Sequence, residues 1–263
     1  MVTNYADLDP ESGDSRANSR VTPLRLGDIG DIIDMPPRAP GLAVLIPYRD
    51  RAEHLQQLIP SLSAVLQQAG VKSNLYVIEQ ANNKKWNKGA VYNAGFDAVY
   101  KKHRHECFCF HDVDFIPQSS NIHYGCVSRP THLAAAPSQY DYKVPYIAFM
   151  GGVLQMSARD YIAINGYSNR FWLWGKEDDD VYMRFVARNM SVAREDPTIG
   201  QYQCLDHERD YSNVETNVEL LIDQVVDKHQ YRVEGLNSIN YSLIAMKRKK
   251  IGKTKYVHIK VDF

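Results

Sequence analysis

Hydrophobic and polar positions follow two different periods along the chain. The run LAVLIP at residues 42–47 is continuously apolar, which is typical of a strand buried on both faces of a sheet. The segment RAEHLQQLIPSLSAVLQQAG, residues 51–70, repeats its apolar residues at helical intervals and therefore predicts a helix that ends at Gly70. Pro60 lies inside this segment and is expected to kink or split the helix.

The alternation of strands and helices continues to about residue 117. The segments predict a second strand, a second helix and a third strand, which are NLYVIEQ (74–80), NKGAVYNAGFDAVYKKH (87–103) and ECFCFHDVDFIP (106–117). The order strand, helix, strand, helix, strand is typical of a parallel α/β sheet with right-handed crossovers. Ligands of such sheets bind beyond the carboxyl ends of the strands, so a site is expected there.

Later segments are less regular. Gly151 and Gly152 interrupt an otherwise strand-like run, PYIAFMGGVLQMS. Two short helices and a final half-buried strand are predicted by SARDYIAINGY (157–167), DDDVYMRFVARNM (178–190) and KYVHIKVDF (255–263).

Residues 1–40 show no sustained period and are rich in Asp, Ser, Asn, Arg and Pro, so they predict a flexible N-terminal arm or linker. The chain has 263 residues, with 44% hydrophobic and 24% charged residues, which suits one large globular domain or two small ones. We predict a single domain over residues 41–263.

Charge and cysteine content narrow the choice of partners. Lys plus Arg equals Asp plus Glu at 31 each, so no overall field favours nucleic acid, a membrane surface or an acidic polymer. No segment approaches the roughly 20 apolar residues of a membrane span, and no signal core follows Met1, although a removed anchor or signal would leave the same sequence. Four cysteines without a CxxC pair predict neither a disulfide scaffold nor a zinc site.

The stretch FWLWGKEDDDVYMRF, residues 171–185, places four consecutive acids beside two tryptophans. One interpretation is an acidic helix start, where free N–H groups and the helix dipole favour negative charge. The other is a carbohydrate site, because an aromatic face together with carboxylates is suited to binding sugars. A carboxylate held there could also act as general base toward a sugar hydroxyl.

Three further motifs follow predicted strands or loops. Asp112 and Asp114 place two carboxylates near the ligand edge, which suits Mg²⁺ or Mn²⁺, although a solvated acidic loop gives the same pattern. His207 in CLDHERD is a candidate metal ligand or a structural histidine. Arg49 and Arg51 in PYRDR are placed to hold phosphate or uracil, or are surface charges.

Taken together, these motifs resemble the animal β-1,4-galactosyltransferase family. The matching pieces occur in the family's order over roughly residues 42–245. They are PYRDRAEHL, VIEQANNKKWNKGAVYNAGF, FCFHDVDFIP, FMGGVLQMSARDYIAINGYSNRFWLWGKEDDDVYMR, HERD and EGLNSINYSL. The resemblance implies a GT-A fold, namely a Rossmann-like α/β domain with a mixed, mostly parallel sheet and helices on both faces.

The resemblance also implies roles for individual residues. Asp178 would be the catalytic base, Asp114 and His207 would bind Mn²⁺, and Cys107 and Cys126 would form a disulfide. The acceptor would be held by Glu177, Asp179 and Trp174, the last in a mobile loop. The donor would be held by Arg49, Arg51, Trp86, Asp112, Phe149 and Gly152.

Three positions depart from the family's pattern. Cys204 stands where the family usually has a methionine metal ligand, and a thiolate is softer, so the metal preference or affinity could change. Leu173 replaces a glycine of the mobile loop, which could stiffen it. Phe149 replaces a tyrosine, and its ring still restricts the space for an N-acetyl group.

The resulting hypothesis is an inverting, Mn²⁺-dependent enzyme that moves galactose from UDP-galactose to a glycan acceptor through a β-1,4 linkage. The alternatives are transfer of N-acetylgalactosamine, or a catalytically weak sugar- and UDP-binding protein. The acceptor stays open among N-acetylglucosamine, glucose, xylose and other sugars. Neither a nucleic-acid partner nor a membrane span in the catalytic domain is expected. The resemblance implies the Golgi lumen, with a secreted or cytoplasmic location as the alternative.

Overall fold

A computed structural model describes residues 20–21, 39, 41–227 and 229–263. The strands in chain order are β1 (Arg20–Val21), β2 (Leu42–Tyr48), β3 (Ser73–Gln80), β4 (Cys107–His111), β5 (Phe115–Pro117), β6 (Thr131–His132), β7 (Ala136–Pro137), β8 (Val153–Ser157), β9 (Ala193–Arg194), β10 (Gln201–Cys204), β11 (Tyr241–Ile251) and β12 (Thr254–Asp262). The helices are α1 (Ala52–Gln68), α2 (Lys88–His103), α3 (Ala158–Ala163), α4 (Glu177–Ala187) and α5 (Val214–Val226).

Nine strands form the main sheet, in the order β1-β11-β12-β3-β2-β4-β8-β6-β9. The central strands β12, β3, β2 and β4 are parallel, whereas β11 and β8 flank them in the antiparallel direction. A second, three-stranded sheet has the order β5-β10-β7. The predicted α/β class with a mixed, mostly parallel sheet is confirmed.

Both faces of the main sheet are buried, which explains the unbroken apolar run of β2. Ala43 and Leu45 pack on the side of α2 and α3, while Val44 and Ile46 pack on the side of α1, and all four are fully buried. Helices therefore cover both faces, as expected for a parallel sheet built from crossover connections.

Local signals set the ends of the helices. The Asn87 side chain accepts a hydrogen bond from the Ala90 N–H and caps α2, and Arg104 ends that helix in a left-handed conformation with φ of 52°. α1 is a single helix that contains Pro60, so the expected division does not occur. Proline lacks the backbone N–H that would form one helical hydrogen bond, but the loss affects only one turn. The buried apolar face of α1 holds the rest of the helix in place.

Two predicted strands are shorter than expected. β4 ends at His111, and Asp112 and Asp114 lie in the turn before β5, which pairs with β10 in the second sheet. The run at residues 145–157 is a strand only from Val153, because Gly152 has a φ of 90° that breaks the extended backbone.

The N-terminal segment meets the domain at two places. β1 pairs with β11, although it lies within the predicted arm, and the Ala39 N–H donates to the His103 carbonyl at 2.7 Å. Apart from Ala39 and β1, the predicted arm at residues 1–40 lies outside the described residues. No helix in the described ranges is long and apolar enough to cross a membrane.

Candidate active site

The residues singled out in the sequence gather at one edge of the sheet. Arg49 and Arg51 follow β2, Trp86 follows β3, and Asp112 and Asp114 follow β4. Because β2, β3 and β4 are parallel, their carboxyl ends open onto the same edge. The start of α4 with its four acids reaches this edge through the contacts of Lys88.

Lys88 joins acids from two separate segments. Its Nζ lies 2.8 Å from Glu177 Oε1 and 3.1 Å from Asp178 Oδ1, both at the start of α4. The same Nζ lies 3.2 Å from Asp112 Oδ2, beyond β4. One ammonium group thus holds three carboxylates, and the cluster carries an excess of negative charge.

The cluster shifts the pKa values of its members. Burial alone would lower the pKa of Lys88, but the charges of Asp112, Asp178 and Glu177 outweigh it and hold that pKa well above its ordinary value. Burial raises the pKa of Asp178 to about 8, with Lys88 opposing the shift and the neighbouring carboxylates adding to it. A carboxylate with a pKa near neutrality is a suitable general base.

Asp112 is held from three directions. Its Oδ1 accepts a hydrogen bond from the Tyr92 hydroxyl at 2.9 Å, its Oδ2 contacts Lys88, and its backbone N–H donates to the Gly152 carbonyl at 2.8 Å. Burial raises the pKa of Asp112, and the charge of Lys88 opposes that shift. These contacts fix the carboxylate relative to α2 and to the start of β8.

Asp114 pairs with His207, as the resemblance implies for a metal site. Asp114 Oδ2 lies 3.2 Å from His207 Nε2, and His207 Nδ1 lies 2.7 Å from the Glu208 carbonyl oxygen and 3.0 Å from Arg51 Nη2. Burial alone would raise the pKa of Asp114, but the hydrogen bond and charge of His207 hold it below its ordinary value. The hydrogen bond to Asp114 in turn raises the pKa of His207.

The donor set near Asp114 fits a divalent metal only in part. When Nδ1 of His207 donates to the Glu208 carbonyl, Nε2 keeps its lone pair on the side of the Asp114 carboxylate, which is a common arrangement for a metal-binding histidine. In the described part of the chain, however, no three His, Cys, Asp or Glu side chains are grouped as a metal site. Two ligands are therefore in place.

Cys204 is the third candidate ligand. It pairs in register with Phe115 across β10 and β5, one residue from Asp114. Burial raises the pKa of its thiol, and the charge of Asp114 acts in the same direction. A bound cation would favour the thiolate, but without one Cys204 stays protonated at neutral pH.

Arg49 and Trp86 lie together at the ends of β2 and β3. The Arg49 guanidinium lies 5.4 Å from the centre of the Trp86 ring, and Arg49 Nη1 donates to the Lys84 carbonyl at 2.6 Å. This stacking presents a flat aromatic and cationic surface, which is suited to a base or a phosphate.

The two glycines before β8 lie against the acidic cluster. A Cβ atom at Gly151 would stand 2.9 Å from Asp178 Oδ2 and 2.8 Å from the Phe149 ring, and one at Gly152 would stand 2.2 Å from the Phe115 ring. Neither position accommodates a side chain. The buried Phe149 ring and the Asp178 carboxylate therefore both lie against Gly151.

The segment before α4 is held by backbone contacts. The Leu173 N–H donates to the Trp86 carbonyl at 2.7 Å, and Asn217 Nδ2 donates to the carbonyls of Trp172 and Gly175. Leu173 has a φ of 63°, a strained conformation for a residue with a branched side chain. The position therefore favours the glycine usual in the family.

Trp174 is an exposed residue of this segment. Its side chain is 38% exposed and packs edge to face on Tyr211, with ring centres 4.7 Å apart. The Trp174 ring thus packs on Tyr211 and is partly open to solvent.

Two contacts of this site were missed in the sequence. No role was predicted for Lys88. A lysine in the first turn of a helix is unfavourable at the positive end of the helix dipole, so its presence there indicates nearby acids. Tyr146 was also missed; its hydroxyl donates to Asp179 Oδ1 at 2.7 Å. No local pattern marks Tyr146, because the contact joins a loop to α4.

Cys107 and Cys126 form a disulfide, as the resemblance implies. The bond joins β4 to the loop before β6, on the face of the sheet that packs against α1. The other two cysteines, Cys109 and Cys204, are free thiols.

Comparison with known proteins gives concordant matches. Residues 37–127 match the N-terminal region of glycosyl transferase group 7, and residues 131–208 match the N-terminal domain of galactosyltransferase. Beta-1,4-galactosyltransferase 1 of Mus musculus is 35% identical over 221 residues, covering 84% of this chain and 54% of the relative. Beta-1,4-galactosyltransferase 4 of Homo sapiens is 35% identical over 224 residues, covering 84% and 63%.

Solved structures are similar over most of the chain. The catalytic domain of Drosophila beta1,4galactosyltransferase 7, complexed with xylobiose, has a TM-score of 0.70 and 25% identity, covering 84% of this chain and 93% of that one. A mutant of that enzyme, complexed with manganese, UDP-Gal and xylobiose, has the same TM-score and 23% identity. By contrast, the chain spans only 54% and 63% of the two curated relatives.

Proposed function

The chain belongs to the β-1,4-galactosyltransferase family, and from this premise we propose that it transfers galactose from UDP-galactose to a glycan hydroxyl through a β-1,4 linkage. One observation carries the proposal. The Lys88 ammonium lies within 3.2 Å of Asp112, the proposed donor contact, and 3.1 Å of Asp178, the proposed base. The donor and acceptor sides of the reaction thus share one cation.

Asp178 acts as the general base of the proposed reaction. The acceptor hydroxyl oxygen forms a bond to the anomeric carbon of galactose as the bond from that carbon to the UDP oxygen breaks. The hydroxyl proton passes to the Asp178 carboxylate, whose pKa of about 8 suits proton uptake near neutrality. Attack opposite to the leaving group inverts the anomeric carbon.

The acceptor is oriented by the neighbours of Asp178. Glu177 and Asp179 accept hydrogen bonds from its hydroxyls, and Trp174 supplies an aromatic surface when the loop closes over the bound sugars. The hydroxyl of Tyr146 already points at Asp179 and keeps that carboxylate in place. These interactions position one hydroxyl at Asp178.

The donor is held on the opposite side of the cluster. Arg49 and Trp86 form the surface that takes the nucleotide, and Arg51 lies beside His207. Gly152, the other proposed donor contact, accepts the Asp112 backbone N–H at its carbonyl and so lies beside Asp112. The Phe149 ring limits the space near Asp178, which supports galactose over N-acetylgalactosamine.

Mn²⁺ is the proposed cofactor. Asp114 and His207 would hold it, with Cys204 as a third ligand. When bound, the ion would neutralise charge that develops on the UDP leaving group. Manganese and UDP-Gal occur together in the complex of the Drosophila enzyme, which supports this assignment.

The proposed location is the Golgi lumen. The disulfide between Cys107 and Cys126 supports an oxidising compartment, because such bonds are rare in the cytosol. The relatives named above are galactosyltransferases, which fits the same assignment.

The test is a transfer assay with UDP-galactose and UDP-N-acetylgalactosamine across a panel of sugar acceptors, with and without Mn²⁺. We expect Mn²⁺-dependent transfer of galactose that Asp178→Asn abolishes. Preferential use of UDP-N-acetylgalactosamine would show that this nucleotide sugar, and not UDP-galactose, is the donor. Mn²⁺-dependent UDP binding without transfer or donor hydrolysis would favour a sugar-binding protein, a reading that Cys204 and the strained Leu173 make worth testing.

A further inference from the structure

The hairpin formed by β11 and β12 carries a dense group of cations. Its sequence from residue 247 to 255 is KRKKIGKTK. Six side chains of this segment are exposed, and we call them the basic hairpin: Lys247, Arg248, Lys249, Lys250, Lys253 and Lys255. Because the whole chain has equal numbers of cations and acids, the rest of the molecule carries a net negative charge.

The cations of the basic hairpin have no acidic partner within the part of the chain that the structure describes. Within the ranges that the structure describes, none of the six takes part in an ion pair. Lys250 and Lys255 are direct partners across the two strands. Like charges in directly opposite positions destabilise a hairpin, so this arrangement has a folding cost that a bound polyanion would remove.

Protection of a sheet edge explains only part of the pattern. Beyond its pairing with β1, β11 is an edge strand, and lysines on edge strands prevent pairing with other chains. Lys253 lies in the turn and Lys255 lies on β12, whose other side pairs with β3. Neither residue protects the free edge.

The basic hairpin is remote from the candidate active site. β12 runs parallel to β3, and its last residues lie beside Gln80 at the carboxyl edge of the sheet. The turn at Gly252 and Lys253 precedes β12 and therefore lies at the opposite edge, roughly 25 Å away along the strand. A ligand at the turn would leave the Lys88 cluster free.

We propose that the basic hairpin binds a sulfated polysaccharide. Five of the six cations are lysines, which act as point charges and lack the planar fork with which arginine recognises single carboxylates. The segment therefore responds to charge density, which is greater in a sulfated polymer than in a carboxylated one. Cations of alternate positions point to opposite faces of the ribbon, so a flexible chain can follow both faces of the tip.

Other polyanions fit the basic hairpin less well. Residues 247–255 contain no aromatic side chain on which a base could stack, which disfavours single-stranded nucleic acid. Anionic lipids are concentrated in the cytoplasmic leaflet, whereas the Cys107–Cys126 disulfide indicates a compartment on the other side of the membrane. A sulfated glycan is available in such a compartment.

The test is binding of heparin, measured by calorimetry at about 0.15 M salt. The hairpin variant combines Lys249→Gln, Lys250→Gln and Lys253→Gln. The matched control combines Arg129→Gln, Lys143→Gln and Arg159→Gln, which remove three exposed cations elsewhere.

We expect the hairpin variant alone to weaken heparin binding by about tenfold or more. We also expect a weaker salt dependence of its binding constant, because fewer counterions are released. Thermal melting of all three proteins checks the fold.

Four results would overturn the proposal. They are no heparin binding by the unchanged protein, equal losses in the two variants, equal binding of unsulfated hyaluronan, and binding to phosphatidylserine vesicles but not to heparin. The measurement needs no sugar transfer, so it separates this inference from the proposed function. Loss of transfer with heparin binding intact would count against the proposed function alone.

Discussion

Asp178 and Asp180 are two residues apart on α4, yet they lie in different environments. Asp178 shares Lys88 with two other carboxylates and is partly accessible at the sheet edge. Asp180 is fully buried, and its Oδ2 accepts a hydrogen bond from Arg184 Nε at 2.6 Å. Arg184 is nearly as buried.

The two groups differ in the number of carboxylates that share one cation, which is two at Arg184 and three at Lys88. Arg184 also contacts Glu234 at 2.8 Å and donates to backbone carbonyls around Asn165, so one cation joins α4 to two loops. Among the described residues the Lys88 ammonium has no such backbone partners, and its three carboxylates compete for one charge. The Arg184 group therefore joins parts of the fold, although the buried Asp180 Oδ1 has no hydrogen-bond partner among the described residues. In the Lys88 cluster three carboxylates share one positive charge, which favours proton uptake by one of them.

The largest expected effect separates these two aspartates. Asp178→Asn should lower the turnover rate by roughly a thousandfold, the scale of a lost general base, without lowering the melting temperature. Asp180→Asn should lower the free energy of unfolding by about 2 kcal/mol and leave the activity per folded molecule within a few-fold of the original. The asparagine oxygen can still accept from Arg184, which keeps the loss moderate.

Paired activity assays and chemical denaturation of these variants test the comparison. The comparison fails if Asp180→Asn loses activity as Asp178→Asn does while keeping its stability. It fails equally if Asp178→Asn retains transfer, because Asp178 would then not be the base.

The next effect is a dependence of activity on pH. The pKa of Asp178 is raised to about 8 by burial, so the carboxylate is mostly protonated below that pH and cannot accept the hydroxyl proton. We expect kcat/KM to rise by about tenfold per pH unit on the acid side and to level off above about pH 8.

Lys88→Gln sharpens this prediction. The charge of Lys88 opposes the rise in the pKa of Asp178, so its removal should move the acid limb of the profile to higher pH. The profiles of kcat/KM against pH are compared for the two proteins, with the acceptor well below saturation. A flat profile between about pH 6 and pH 9 would contradict the role of Asp178 as the base.

The periods of the apolar residues predicted those strands and helices whose buried faces are made of apolar residues. β2 is apolar throughout because both of its faces are covered, and α1 buries the residues that its spacing indicated. α5 was not predicted, because its buried residues are the polar Asn217 and Gln224, while Ile222 is 55% exposed. The position of α5 depends on hydrogen bonds that the Asn217 side chain donates to backbone carbonyls. A helical period of apolar residues does not reveal such bonds.

The candidate site was predictable where residues follow strands in sequence. Asp112 and Asp114 were placed at the sheet edge by the end of the third strand, and the structure puts them there. The contact of Asp112 with Lys88 could not be inferred, because Lys88 lies on α2 and meets Asp112 and Asp178 only in the folded chain. Charge pairing between distant segments leaves no local pattern.

The smallest expected effect concerns the third cation near the start of α4. Lys176 Nζ lies 3.1 Å from Asp179 Oδ2, but the Lys176 side chain is 32% exposed, so water screens the pair. Lys176→Met should change the free energy of unfolding by less than about 0.5 kcal/mol in urea denaturation. The Tyr146 hydroxyl continues to donate to Asp179 after the substitution.

A loss comparable to that of Asp180→Asn would show that exposure does not set the strength of these pairs. The three cations would then have to be ranked by geometry, since Arg184, Lys88 and Lys176 all lie close to their acids. With the expected small change, burial separates them: the pair of Arg184 is fully desolvated and unscreened, and the pair of Lys176 is largely screened. The Lys88 cluster lies between the two: burial raises the pKa of Asp178 against the opposing charge of Lys88, and the Asp178 side chain stays open enough for a hydroxyl to reach its carboxylate.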